Sequence, residues 1–173
     1  MNEEYAPDYC LKQTLILGCG SIFRGDDGVG SQVAKYLLEN HVFPETVKVL
    51  DAGSAVGEIL FDIALSYDKP EKIVLVDAMD RGLPAGTISV LDLNDLPKMG
   101  IKHFSIHQGP SSCLLREFES LGINVVLIAV QPESLPEYLT IGLSLPVQRA
   151  FDDICRMILD QVSSDAINKY PQS

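Results

Sequence analysis

Four carboxylates and one histidine are the residues whose types and positions could do chemistry. They follow the short apolar runs that are typical of buried strands, and they are Asp26, Asp27, Asp51, Asp77 and His107. In open α/β sheets, ligands bind at the edge formed by the carboxyl ends of the parallel strands. We therefore expect these side chains to gather at one edge of a sheet. Carboxylate oxygens and an imidazole together are typical ligands of Zn, Ni, Fe or Mn.

Each aspartate also has a structural interpretation. Asp27 stands where a helix should begin, and a carboxylate there can cap free backbone N–H groups. A cap or a turn is the favoured role of Asp26, and Asp51 could bond the backbone of the turn that follows it. Asp77 is harder to explain in this way, because it closes a strand that we expect to be buried on both faces.

The histidines are ranked by their local sequence. His107 lies in the loop after the fourth predicted strand, and His103 lies four residues before it. Both could bind one metal from a helix, but Gly109 and Pro110 argue against a helix there, so His107 is favoured. His41 follows a predicted helix end, where an imidazolium stabilises the terminus.

A glycine-rich loop follows the first strand and resembles nucleotide-binding motifs only in part. The third glycine of a dinucleotide motif would fall at Phe23, and the lysine of a phosphate loop is replaced by Asp26. Two carboxylates at a helix start would repel phosphate, so neither nucleotide motif is favoured. Cys19 lies between two glycines with no base beside it, which favours a small apolar turn residue over a nucleophile.

The apolar pattern predicts a βαβαββαβα order. The predicted strands are residues 14–17, 47–50, 72–76, 87–91 and 124–130. The predicted helices are residues 28–40, 57–65, 111–120 and 147–162. Parallel neighbours need a crossover of a dozen or more residues, and residues 80–86 carry turn chemistry with no room for a helix, so the fourth strand should run antiparallel. The order predicts helices on both faces of a mostly parallel five-stranded sheet.

Composition narrows the classes of partner. The chain has 13 Lys+Arg against 24 Asp+Glu, a formal net charge of −11, which disfavours nucleic acid and suits a metal cation or a basic peptide. We expect one domain over residues 1–173, with a loose arm at 1–13 and a polar tail at 163–173. The sequence shows no signal peptide, membrane span or C-x-x-C pair, so we expect a cytoplasmic protein with reduced thiols and no structural zinc.

Seven blocks of sequence together resemble the hydrogenase maturation endopeptidases. They are L-I-L-G-C-G-S-I-F-R-G-D-D-G-V-G at 15–30, L-D-A-G-S at 50–54, V-D-A at 76–78, P-A-G-T at 84–87, S-I-H-Q at 105–108, Q-P-E-S at 131–134 and I-G-L-S at 141–144. The resemblance covers about residues 14 to 162. Within the first block, the F-R-G-D-D-G stretch at 23–28 and the loop around Cys19 resemble archaeal members of the family linked to coenzyme F420-reducing hydrogenases.

The resemblance implies a fold, a reaction and a site. The family fold is a three-layer α/β sandwich, and its reaction is one cut that removes the C-terminal extension of a [NiFe]-hydrogenase large-subunit precursor. By motif, the ligands and catalytic residues fall on Asp27, Asp77 and His107, with Asp51 and Gln131 as candidates for substrate binding. The metal is the nickel already loaded in the precursor, so this aspartic-type endopeptidase would recognise nickel as part of its substrate.

Two other functions fit parts of the same pattern. A receiver domain that accepts a phosphoryl group also places acidic residues at strand ends, but it needs a lysine where this sequence has Gln131. A nickel-dependent assembly chaperone of the hydrogenase would need the same ligands without cleavage. In either the protease or the chaperone interpretation, we expect a monomer that binds its partner transiently.

Overall fold

A five-stranded mixed sheet organises the chain. The computed structural model describes residues 6–95 and 111–169, with side chains described for 6–94 and 113–162. The strands are β1 Thr14–Cys19, β2 Val47–Gly53, β3 Lys72–Ala78, β4 Ile88–Leu91 and β5 Asn124–Val130, in the sheet order β2-β1-β3-β5-β4. All neighbouring pairs are parallel except β4, which pairs antiparallel with β5. The predicted fold class and the predicted antiparallel fourth strand are confirmed.

In the described part of the chain, four α-helices cover the two faces of this sheet. They are α1 Val29–Asn40, α2 Val56–Leu65, α3 Ser111–Ser120 and α4 Leu145–Lys169. Side chains alternate along β1: Leu15 and Leu17 join the core beneath α2 and α3, whereas Ile16 joins the core beneath α1 and α4. Because the interior strands β1 and β3 are covered on both faces, every one of their residues is buried. No helix among the described residues is long and apolar enough to cross a membrane.

The strands run further towards the candidate site than the sequence indicated. The first three predicted strands end two or three residues early, because the parallel ladder continues to Cys19, Gly53 and Ala78. Asp51 and Asp77 therefore lie inside strands and not just beyond them. The described connection between β3 and β4 contains only turns and bends, as predicted.

The predicted loose arm is wrong for the part of it that the structure describes. Residues Asp8–Leu11 form a short 3-10 helix, and Cys10 within it is fully buried. The Tyr9 hydroxyl donates to Asp62 of α2 at 2.6 Å, and Lys48 of β2 pairs with Asp8 at 2.8 Å. Packing against the sheet and α2 therefore fixes this segment. At the other end, α4 extends to Lys169, so most of the predicted tail is helical.

Candidate functional site

The loop after β1 folds back tightly on itself. Gly20 adopts a φ of +101°, and a Cβ at that position would lie 1.7 Å from the carbonyl oxygen of Asp27. Only glycine can combine this backbone conformation with this contact. A 3-10 helix over Gly25–Gly28 then leads into α1, which begins at Val29. Gly20 thus allows a close backbone contact within the loop, and Asp26 and Asp27 of the same loop are buried.

Asp27 points back into the loop and does not cap the helix. Its Oδ2 accepts a hydrogen bond from the backbone N–H of Ser21 at 2.9 Å, and a guanidinium nitrogen of Arg24 lies 3.9 Å from the same oxygen. Gly28 is the N-cap residue of α1, and no side chain bonds there. The alternative interpretation of Asp27 as a helix cap is therefore wrong. The carboxylate is 1% exposed, so its orientation is set within the protein.

Asp77 is a fully buried carboxyl group with unused hydrogen-bonding capacity. Neither of its oxygens has a hydrogen-bond partner among the described residues, although both are shielded from water. Burial raises the pKa of Asp77 well above its ordinary value of 3.8, and the nearby charge of Asp27 raises it further. The backbone N–H of Ala78 offsets part of the shift, although it does not meet hydrogen-bond geometry with either oxygen. Buried polar groups normally have hydrogen-bond or metal partners, so the Asp77 carboxyl group is a candidate to bind a group from outside the described residues.

Asp27 and Asp77 both lie beside Gly20, and the charge of Asp27 acts on the carboxyl group of Asp77. Both flank Gly20, whose Cβ, if it had one, would lie 3.6 Å from Oδ1 of Asp77. The buried carboxyl group of Asp77 suits a cation, because a positive charge relieves both its desolvation and its repulsion by the nearby charge of Asp27. No three His, Cys, Asp or Glu residues form a metal-binding group within 6–95 and 111–169. His107 lies outside the described residues, as does its rival His103, so the three-ligand site stays a prediction.

Asp26 connects two loops, a role that the sequence analysis missed. Its carboxylate accepts hydrogen bonds from the backbone N–H of Glu133 at 2.8 Å and from the backbone N–H and hydroxyl of Ser144 at 2.7 and 2.8 Å. Thr140 adds two backbone hydrogen bonds, one from the N–H of Gly25 and one to the carbonyl of Phe23. We call residues 20–28 and 132–144 the loop pair. The favoured cap or turn role of Asp26 is wrong, because its partners lie more than a hundred residues away.

The two candidate substrate-binding residues, Asp51 and Gln131, differ in their exposure and in their hydrogen bonds within the protein. Asp51 is exposed on β2 and accepts a short hydrogen bond from the hydroxyl of Ser31 on α1, and not from the backbone of the turn after it. Gln131 is buried: its Oε1 accepts from the N–H of Arg81 at 2.8 Å, and its Nε2 donates to Asp80 at 3.0 Å. The Gln131 amide therefore holds the turn after β3, which leaves Asp51 as the accessible group.

Cys19 fits the structural role that its sequence context favoured. The side chain is completely buried, and its thiol lies 3.7 Å from the carbonyl oxygen of Leu17. Burial raises the pKa of the Cys19 thiol well above its ordinary value, and the charges of Asp77 and Asp51 raise it further. The thiol is therefore neutral at physiological pH, which disfavours it as a nucleophile.

Comparison with known proteins gives one consistent result. The profile of the family described as "Hydrogenase maturation protease" matches residues 31–161. A Methanocaldococcus jannaschii protein named as a hydrogenase maturation protease is 35% identical over 153 residues, covering 87% of this chain and 97% of that protein. The coenzyme F420 hydrogenase subunit delta of Methanothermobacter thermautotrophicus is 31% identical, covering 87% and 94%. The structure of the hydrogenase maturating endopeptidase HybD from Escherichia coli matches with a TM-score of 0.72 and 26% identity, covering 88% and 93%.

Proposed function

Because this chain belongs to the hydrogenase maturation protease family, we propose that it removes the C-terminal extension of a [NiFe]-hydrogenase large-subunit precursor after nickel has been inserted. The similarity to a coenzyme F420 hydrogenase subunit supports a precursor of that hydrogenase class as the substrate. The receiver-domain alternative is set aside, because the family match covers residues 31–161.

The observation that carries the proposal is the buried pair of Asp77 and Asp27. Asp77 has two oxygens without a partner among the described residues, beside a second carboxylate whose direction is fixed by the Ser21 N–H. The buried carboxyl group of Asp77 is poorly satisfied alone and would be well satisfied by a divalent cation. Nickel carried by the precursor is therefore a suitable feature for this protein to recognise.

Asp77 and Asp27 would supply oxygen ligands to the precursor's nickel, and His107 would supply an imidazole nitrogen. Without a cation, burial and the neighbouring charge favour the protonated form of Asp77. A divalent ion beside it would lower its pKa and release that proton, because the charged form then gains a partner. Recognition would thus favour loaded over unloaded precursor, and bound nickel can polarise the peptide group that is cut.

We also propose that the protein acts in a reducing compartment, the cytoplasm, and as a monomer. Support for the compartment comes from Cys10, Cys19 and Cys155, which are buried free thiols. Secreted proteins of this size more often carry their cysteines as disulfides.

The test is mass spectrometry of nickel-free and nickel-loaded precursor incubated with the protein. Wild-type protein should shorten only the loaded precursor, and Asp27→Asn, Asp77→Asn and His107→Ala should each abolish the mass change. His103→Ala is the matched control and should keep full activity. Equal cleavage of both precursors, or full activity of His107→Ala, would contradict the proposed site. Binding of loaded precursor with no mass change would instead indicate the assembly chaperone.

A further inference from the structure

An open cleft lies beside the candidate site. It has a volume of about 650 Å³ and runs between α1 and the part of the loop pair around residue 141. Its apolar lining consists of Ile22, Phe23, Tyr36, Ile141 and Phe151. Volumes of this size are typical of sites that hold a ligand or a few residues of a peptide.

The apolar side chains of the cleft are unusually open to water. Phe23 is 55% exposed, Ile141 is 78% exposed and Ile22 is 44% exposed. Single exposed apolar residues are common, but a cluster around a concavity marks an interaction surface. The ring of Tyr36 packs edge-on against Phe151 at 5.6 Å, so this wall is held in place before any partner arrives.

The cleft and the candidate site share the same loops. Ile22 and Phe23 directly follow Ser21, whose N–H holds Asp27. Ile141 directly follows Thr140, which is bonded to Gly25. Asp51 also lines the cleft and is bonded to Ser31 on α1. A polypeptide bound near Asp27 and Asp77 could therefore extend along the surface of this cleft.

We propose that the cleft binds the C-terminal extension of the precursor, as an extended segment that seats an apolar side chain against Phe23 and Ile141. This inference rests on the proposed function, because the occupant is its substrate. The polar lining of the cleft includes the carboxylates of Asp51 and Glu39 and the ammonium of Lys35. Together with the chain's net charge of −11, this favours an extension that is basic as well as apolar.

The experiment compares Phe23→Ser with Phe61→Ser in steady-state cleavage of nickel-loaded precursor. Phe61 lies on α2, outside the cleft, and is also 55% exposed, so the two changes remove the same side chain from equally open positions. Phe23→Ser should raise KM about five- to tenfold with kcat unchanged, because the substrate would bury the exposed half of the Phe23 side chain and the variant lacks that apolar contact. Phe61→Ser should leave both constants unchanged. Equal KM values for the two variants would overturn the inference while the proposed function stands.

A binding measurement separates docking from cleavage. A synthetic peptide covering the extension, labelled for fluorescence anisotropy, should bind wild type and Phe61→Ser equally and Phe23→Ser about five- to tenfold more weakly. A peptide with its basic residues changed to glutamate should bind wild type more weakly. Equal binding by all three proteins would refute docking in this cleft. A wild-type dimer in sedimentation that Phe23→Ser dissociates would assign the cleft to self-association and also refute it. Absence of any cleavage by wild type would instead count against the proposed function.

Discussion

Asp77→Asn should make the protein more stable while removing its activity. In the folded protein the pKa of Asp77 lies well above the value of 3.8 that it has when exposed, so the folded state binds this proton more tightly than the unfolded state. The free energy of unfolding therefore falls as pH rises from about 4 towards the folded-state pKa, and stays low above it. Asparagine cannot ionise, so the variant should lose this pH dependence.

The size of the effect can be bounded. Protonating a carboxyl costs about 1.4 kcal/mol for each pH unit above its unfolded-state pKa, so at pH 7 the penalty from Asp77 cannot exceed about 4 kcal/mol. The buried asparagine amide of the variant also lacks hydrogen-bond partners, and this desolvation lowers the free energy of unfolding by about 1–3 kcal/mol. We expect a net gain at pH 7 of at most about 3 kcal/mol. For a chain of this length each kcal/mol raises the melting temperature by about 2–4 °C.

Calorimetry of wild type and variants between pH 5 and 8 is the assay. Asp26→Asn is the matched control, because it makes the same chemical change at a buried carboxylate that already has three donors. It should destabilise the protein by about 1.5–3 kcal/mol or more, the opposite sign. A melting temperature of Asp77→Asn at or below wild type across this range would show that Asp77 is not an uncompensated buried carboxyl.

Three further outcomes are expected. Gly20→Ala should lower the free energy of unfolding by at least about 2 kcal/mol in denaturant titration and reduce cleavage, because the new methyl would collide with the backbone of Asp27. Gly122→Ala has a similar φ of +86° with nothing within 4 Å, so it should cost only the backbone strain of about 1 kcal/mol, and equal losses would contradict the steric argument. Ser144→Ala removes one of the three donors to Asp26 and should cost about 1.5–3 kcal/mol in the same titration. A chelator added to the isolated protein should leave its melting temperature unchanged, since nickel arrives with the precursor, and a fall would indicate a resident metal.

The fold could be predicted because its determinants are local. The continuous apolar runs of β1 and β3 are those that a sheet covered on both faces requires, and the short, helix-free link after β3 leaves only an antiparallel partner. The strand ends were misplaced because polar residues such as Asp51 and Asp77 continue the ladder after the apolar run stops. Local hydrophobicity carries no information about that continuation.

The missed features depend on contacts that are distant in the sequence. Asp26 precedes a helix, which favours a cap, but its donors Glu133 and Ser144 come from the far end of the chain. Cys10 stands in a polar segment and is buried only because that segment packs onto the sheet and α2. Asp27 reaches Ser21 because Gly20 takes a positive φ, and glycine alone does not reveal which of its permitted conformations will be used.

The loop pair has a consequence for amide hydrogen exchange. The N–H groups of Gly25, Glu133, Thr140 and Ser144 all bond across the same junction, three from one loop and one from the other. These amides should therefore exchange with solvent through one shared opening event, with one free energy, although they are far apart in the chain. Because Asp26 accepts three of the hydrogen bonds at this junction, the same event would leave its buried carboxylate without those donors. The opening free energy of the loop pair thus sets how often the buried Asp26 carboxylate loses its partners.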